Sequence, residues 1–250
     1  MIKIFALTLS LFCAPLLLAG EAANWQDLHA GNEVGNISSL QRGARNFSNY
    51  CLGCHSLKYL RWSRLGADLK IPTSLLIVNL IPADAKPADY IQSSLRAEDG
   101  VTWFGKEPPD LSLMARARGV DYLYRFLKTF YLDPTRATGT NNLALDSAAM
   151  PAVLSELEGV KEAVYRNVDV VVDGKPSVQK VFDHFTSVAP DQLNEAQYDT
   201  FVRDTVNFLD YAGEPAQVER RNLGIWVVLF LLVFTGIAWL MKKEYWKDVY

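Results

Sequence analysis

The chain has 250 residues, of which 50% are hydrophobic and 21% charged, with a formal net charge of −3. With a mean hydropathy of +0.02, this composition excludes a disordered or collagen-like chain and leaves no room for many membrane spans. The apolar excess sits mainly at the two ends.

Residues 1–19 carry Lys3, then an almost uninterrupted apolar run from Ile4 to Leu18. Small residues follow at Ala19, Gly20, Ala22 and Ala23. The run is short for a span, and the pattern predicts a secretory signal peptide over 1–19, cleaved within 19–23. Cys13 leaves with it, and bulky Phe12 makes it a poor lipoprotein cysteine. Cys51 and Cys54 then remain as a local pair, which offers no disulfide scaffold. Residues 20–222 hold 21 Lys and Arg against 26 Asp and Glu, a formal −5. So acidic a domain is not expected to bind nucleic acid, and it suits a basic protein partner.

Leu40, Ala44, Phe47 and Tyr50 recur at helical spacing, with Ser38-Ser39 in capping position. Gly43 permits close approach of a second helix. This helix runs into Cys51-Leu52-Gly53-Cys54-His55. The C-x-x-C-H spacing is a c-type haem attachment signature. Two thiols three apart can form thioethers to two vinyl groups, and the adjacent imidazole faces the iron. A thioredoxin-like pair needs a preceding strand and leaves the histidine unexplained. A zinc site needs about four ligands, and only His29 and His184 remain as imidazole donors.

Residues 56–100, with Pro72, Pro82, Pro87 and Gly100, predict loops and short helices, and Leu69–Leu80 is apolar enough to pack on a haem. Met114 lies at the start of an amphipathic helix. Val120–Phe130 is helix-like, with Leu123, Phe126, Leu127 and Phe130 on one face. Residues 131–142 are turn-rich. Met150 follows that loop and directly precedes Pro151, which keeps the preceding residue extended. It is the expected sixth iron ligand, ahead of Met114 and His184. Methionine ligation raises the potential relative to two histidines. His29 is a surface or core histidine.

Val168–Val172, Asp173-Gly174 and Pro176–Val181 predict a small hairpin. Gln192–Tyr211 predicts a helix packed on the first, ending at Gly213-Glu214-Pro215 before a short charged linker. Leu223–Met241 is free of charge, long enough at about 1.5 Å per residue for a ~30 Å hydrocarbon core. Arg220 and Arg221 precede it. Lys242, Lys243 and Lys247 follow, with Trp239, Tyr245 and Trp246 suited to the interface. The signal peptide sets the topology: 20–222 outside as a periplasmic domain, a transmembrane helix at 223–241, and a cytoplasmic tail at 242–250.

Taken together, the haem motif in NYCLGCHSLKYLRWSRL, the block Pro108-Pro109-Asp110-Leu111-Ser112 with Arg116-Ala117-Arg118, the Met150 block, FLDYAGEP at 208–215 and the span with its KKEYW tail resemble the bacterial cytochrome c1 family over nearly the whole mature chain. That family is the membrane-anchored haem subunit of the cytochrome bc1 complex. The resemblance implies a mainly α c-type cytochrome domain with a small β-hairpin insertion and one C-terminal transmembrane helix. It implies one covalent haem c, held by Cys51 and Cys54 and ligated by His55 and Met150. Pro109 would pack near the ring, Arg118 would face a propionate, and Tyr122 would lie by the pocket. An arginine fork suits a carboxylate, whereas the plain alternative for Arg116 and Arg118 is a solvated basic face.

Relatives often carry glycine immediately before the methionine, where this chain has Ala149. Residues 181–194, with His184 and Pro190, look like additional connecting sequence. The resemblance implies electrons arriving from the Rieske iron–sulfur subunit and leaving to a cytochrome c, in a dimeric membrane complex with a cytochrome b subunit. Quinone oxidation belongs to that subunit, so this chain is an electron carrier and not catalytic alone. The alternative is a stand-alone membrane-anchored cytochrome c feeding a terminal oxidase or reductase.

Overall fold

A computed structural model of the chain describes residues 24–172 and 175–249. The predicted leader, with Cys13, lies outside them, as do Asp173 and Gly174 at the predicted hairpin turn.

The fold is organised by two helices distant in sequence, α1 (Ile37–Tyr50) and α8 (Glu195–Gly213). The apolar stripe of α1, Leu40, Ala44 and Phe47, is buried because it recurs every three to four residues. The stripe meets Val202, Val206 and Phe208 of α8, with the Phe47 and Phe208 rings 5.7 Å apart. Gly43 sits at the crossing, where a Cβ would meet the Phe208 Cβ at 2.6 Å. Polar groups fix the register of the pair. Buried Asp204 accepts from Ser39 Oγ (2.6 Å) and Arg42 Nε (2.5 Å), and Asn46 Nδ2 donates to Thr205 Oγ1 (3.1 Å). The Asn36 side chain accepts from Ser39 N and caps α1, so the cap lies just ahead of the predicted serines. The start of α8 is closed by a reciprocal capping box of Asn194 and Gln197.

Short elements fill the segment between the helices. β1 (Leu57–Arg61) leads into α2 (Trp62–Asp68) and α3 (Thr73–Asn79), and β2 (Tyr90–Ile91) returns to pair antiparallel with β1. Leu69, Leu76 and Leu80 enter the protein core, whereas Leu75, Ile77 and Val78 face outward. After α4 (Ala97–Phe104) come α5 (Met114–Arg118) and α6 (Val120–Lys128). The helix predicted to reach Phe130 stops at Lys128, and Phe130 opens β3 (Phe130–Leu132), paired antiparallel with β4 (Thr140–Asn142). The turn-rich 131–142 run is therefore largely a hairpin. α6 is tied to α8 by Lys128 Nζ and Tyr124 Oη, which both donate to Asp199, while Arg203 Nη2 donates to its other oxygen (2.9 Å).

Beyond α7 (Ser155–Glu158), the predicted small hairpin is far longer than its sequence core. β5 (Val160–Val172) pairs antiparallel with β6 (Lys175–Ala189), with irregularities at Val160/Lys161 and Val164/Tyr165. Residues 181–189, expected to be connecting sequence, are strand.

α9 (Gln217–Tyr245) contains the whole predicted span and extends it at both ends, absorbing most of the expected linker. It is the one described helix long and apolar enough to cross a membrane, and its apolar side chains from Leu223 to Met241 are exposed. This fits a lipid-facing surface, since apolar exposure on that scale is unfavourable in water.

Candidate functional site

The Cys51–His55 loop begins where α1 ends. Cys51 N and Leu52 N both donate to Phe47 O (2.9 Å each), and Cys54 N (3.0 Å) and His55 N (2.8 Å) turn back onto Cys51 O. The tight turn keeps both cysteines half-buried and free of disulfide. Burial, helped by nearby Cys54, pushes the Cys51 thiol up to about 12. A reactive redox pair works as a depressed-pKa thiolate. With a helix rather than a strand leading in, the motif does not have the setting of a thioredoxin-like site.

His55 is buried, and its Nδ1 lies 2.7 Å from the Pro109 carbonyl oxygen. A carbonyl only accepts, so Nδ1 carries the proton and Nε2 keeps its lone pair, the arrangement of a ligating imidazole. Burial lowers the His55 pKa, with the Pro109 bond opposing, so the ring is neutral near pH 7.

The segment holding Pro109 is stapled beside the motif. Leu111 N donates to Ser56 O (2.9 Å). Asp110 accepts from Lys58 N and Ser112 N (2.9 Å each). Buried Ser112 Oγ accepts from Tyr59 N (3.2 Å). α5 follows directly, and Cys51, Leu111, Met114 and Tyr122 pack against the same apolar core.

Arg118 is exposed and engages no carboxylate among the described residues; its guanidinium stands 5.7 Å from the Tyr122 ring centroid. Tyr122 stacks on Phe126 (6.2 Å), which meets Phe130 edge-on (5.0 Å). Arg116 has different surroundings. Its Nη1 is 3.7 Å from Glu214, and its Cγ would be 3.1 Å from a Cβ on Gly213, so it braces the α8–α9 elbow.

Met150 is half-buried on a separate segment between β4 and α7. No hydrogen bond joins that segment to the Cys51–His55 loop among the described residues. Its anchor is the pair Asn141-Asn142. Buried Asn142 accepts from Ala144 N (2.8 Å), Leu145 N (3.2 Å) and Thr129 Oγ1 (3.2 Å), and donates to Phe126 O (2.7 Å). Asn141 accepts from Ser147 N (2.9 Å). The left-handed residue of the turn is Ser147, at φ +60. Ala149 has no positive φ, so a glycine before Met150 is not needed. His184 is exposed on β6 beside Asp183 (2.9 Å), away from the motif in sequence.

The donor set suits haem c: two free thiols one turn apart, a neutral imidazole with an available nitrogen, an uncommitted arginine and half-buried aromatics. The sequence matches the Cytochrome C1 family over residues 79–249. The chain belongs to the cytochrome c1 family. The haem motif precedes that match but falls within the alignment to cytochrome c1 of Allochromatium vinosum, which is 44% identical and covers 99% of both chains. The ammonia monooxygenase gamma subunit of Nitrosomonas europaea is 40% identical over 85% of this chain and 84% of its own. Cytochrome c1 of Rhodospirillum rubrum is 29% identical over 84% of this chain and 81% of its own.

As a cytochrome c1-type electron carrier of a quinol–cytochrome c reductase-like complex, the chain is anchored by its C-terminal helix, and family membership implies a haem c. Asp110 and Ser112 were read only as part of the Pro108–Ser112 block, without roles of their own, and Asn141 and Asn142 were not singled out from sequence. The signals available were local ones, Asp two residues before Ser and an Asn-Asn pair closing a turn-rich run, both typical of side chains that bond nearby backbone.

Proposed function

We propose that Cys51 and Cys54 hold the haem covalently, that His55 Nε2 and Met150 Sδ ligate its iron, and that Arg118 and Tyr122 line its pocket. The haem supplies one-electron Fe(II)/Fe(III) chemistry. The single observation that carries this is the Nδ1–H bond from His55 to Pro109 O, which fixes the ring's tautomer and orientation. Pro109 thereby acts through its carbonyl, and Asp110 and Ser112 keep that carbonyl in place. Arg118, unpaired and beside Tyr122, is available to a propionate.

The partners are those of a quinol–cytochrome c reductase: electrons pass from a Rieske iron–sulfur subunit to a cytochrome c, beside a cytochrome b subunit, in a dimeric assembly. Residues 20–222 face the periplasm, and 242–250 the cytoplasm. Covalent attachment is tested by haem stain after denaturing electrophoresis, which Cys51→Ala/Cys54→Ala should abolish. Ligation is tested spectroscopically: Met150→Ala should lose the low-spin methionine signature and keep covalent haem. Copurification with cytochrome b and Rieske subunits separates this role from a stand-alone cytochrome, which would purify alone.

A further inference from the structure

A cavity lies away from the haem motif, where the globular domain meets the start of the span. It measures about 460 Å³, within the ~300–1,000 Å³ typical of small-molecule sites. Its walls are the Asn32–Gly35 loop, Val120, Asp210 of α8 and the first turns of α9.

Its level in the membrane follows from sequence. Leu223 begins the charge-free stretch, so Arg221 and Asn222 stand where the hydrocarbon ends and headgroups begin. Arg220 is already engaged, bidentate to Glu214 (2.5 and 3.1 Å). Arg221 lies within ion-pair distance of no carboxylate among the described residues. The domain supplies the opposite chemistry: Glu33, and Asp210, whose carboxylate is oriented by Asn32 Nδ2 (2.8 Å). Gln217 also lines the cavity. It is 8% exposed, and its Oε1 has no donor among the described residues, an arrangement that is unfavourable if left uncompensated.

Donors for an anion thus stand next to the span, and acceptors for an N–H cation stand on the domain. One ligand that carries both charges at that depth is a zwitterionic headgroup with a primary amine. We infer that this cavity binds the phosphoethanolamine headgroup of a membrane lipid. The phosphate is met by Arg221 and Asn222, and the ammonium by Glu33, Asp210 and Gln217 Oε1. A choline headgroup has no N–H to give these acceptors, and a glycerol headgroup has no cation. The site is independent of the haem ligands proposed above.

The test uses the full-length, haem-loaded chain in nanodiscs containing equal amounts of phosphatidylethanolamine, phosphatidylcholine and phosphatidylglycerol, followed by native mass spectrometry. The expected result is a retained phosphatidylethanolamine, favoured about tenfold over each competitor, as one charged hydrogen bond allows. Arg221→Gln lowers retention of all three lipids, whereas Glu33→Gln weakens the preference for ethanolamine over both choline and glycerol. Both side chains are exposed, and unchanged haem absorbance and circular dichroism report an intact fold. Equal retention of the three lipids, or variants that behave as wild type, overturns the inference. So does displacement by soluble glycerophosphoethanolamine, which would make the ligand a free metabolite. A zero-length crosslink from Glu33 to a neighbouring subunit in the intact complex would show that protein fills the cavity, and overturns it too.

Discussion

A Cβ placed on Gly43 of α1 would stand 2.1 Å from the carbonyl oxygen of Asp204 in α8. No side-chain rearrangement relieves a clash with main chain, so the two helices would have to separate. That crossing carries the domain, and α1 delivers the Cys51–His55 loop. Gly43→Ala is therefore expected to destabilise by about 3 kcal/mol or more, at or above the usual upper range for overpacking. Gly35→Ala, whose Cβ meets nothing within 4 Å, should leave the denaturant midpoint unchanged. Equal midpoints for the two variants would contradict the close packing.

Asp204 is 4% exposed and accepts from both Ser39 and Arg42. Removing the carboxylate leaves the Ser39 hydroxyl with one partner fewer and frees Arg42, which is half-exposed and can turn to water. Removing Arg42 instead strands a buried charge. Breaking a buried pair from one side costs about 3–5 kcal/mol, and exposure of Arg42 places this pair toward the lower figure. Arg42→Ala should thus cost more than Asp204→Asn, which keeps an acceptor for Ser39. Urea unfolding of both variants and the double variant measures the coupling.

The α6–α8 contact gives the fold an acid limit. Burial alone would raise the pKa of Asp199, but hydrogen bonds from Lys128, Tyr124 and Arg203 outweigh it and hold the carboxyl at about 2. A folded pKa below the unfolded value of roughly 3.9 gives stability that is complete above that value. It is lost as pH falls through about 2. Wild type minus Asp199→Asn should show a stability difference of about 1–2 kcal/mol at pH 6, allowing for partial exposure. The difference should shrink steadily below pH 4. A pH-independent difference would rule out the carboxylate as its source.

Local periodicity made α1, α8 and the span legible in the sequence, and the C-x-x-C-H spacing located the Cys51–His55 loop. Interactions between distant positions were not legible. His55 meets Pro109 across 54 residues, and Ser39 meets Asp204 across 165, so nothing within a sequence window marks either pair. The β5–β6 ribbon was underestimated because only its valine-rich tip reads as strand. Near its base, Lys161, Glu162, Asp183 and His184 interrupt the alternation, and the strands continue there through irregular pairing. Asn141 and Asn142 read as turn residues, and the reach of Asn142 to Phe126 O of α6 depends on the β3–β4 hairpin that brings it back.

That reach makes Asn142 a lever on Met150. Its amide links Thr129, Phe126 O and the backbone at Ala144 and Leu145, so it clamps the start of the loop that ends in Met150. Asn142→Ala deletes the acceptor for two backbone N–H groups and the donor to a carbonyl. At roughly 1 kcal/mol per bond, the loop should loosen by about 2–4 kcal/mol without unfolding α1 or α8. Cys51 and Cys54, the proposed attachment points, lie on another segment, so haem stain after denaturing electrophoresis should match wild type. If Met150 is the sixth ligand, the variant should show a partial shift away from the low-spin methionine spectrum and a lower reduction potential, since weakened methionine ligation removes its potential-raising effect. Asn142→Asp keeps the acceptors but turns a buried carboxylate oxygen toward Phe126 O, so at neutral pH it should loosen the loop at least as much as Asn142→Ala. A variant that melts earlier yet keeps the wild-type spectrum and potential would separate the Asn142 clamp from the iron and point to a ligand other than Met150.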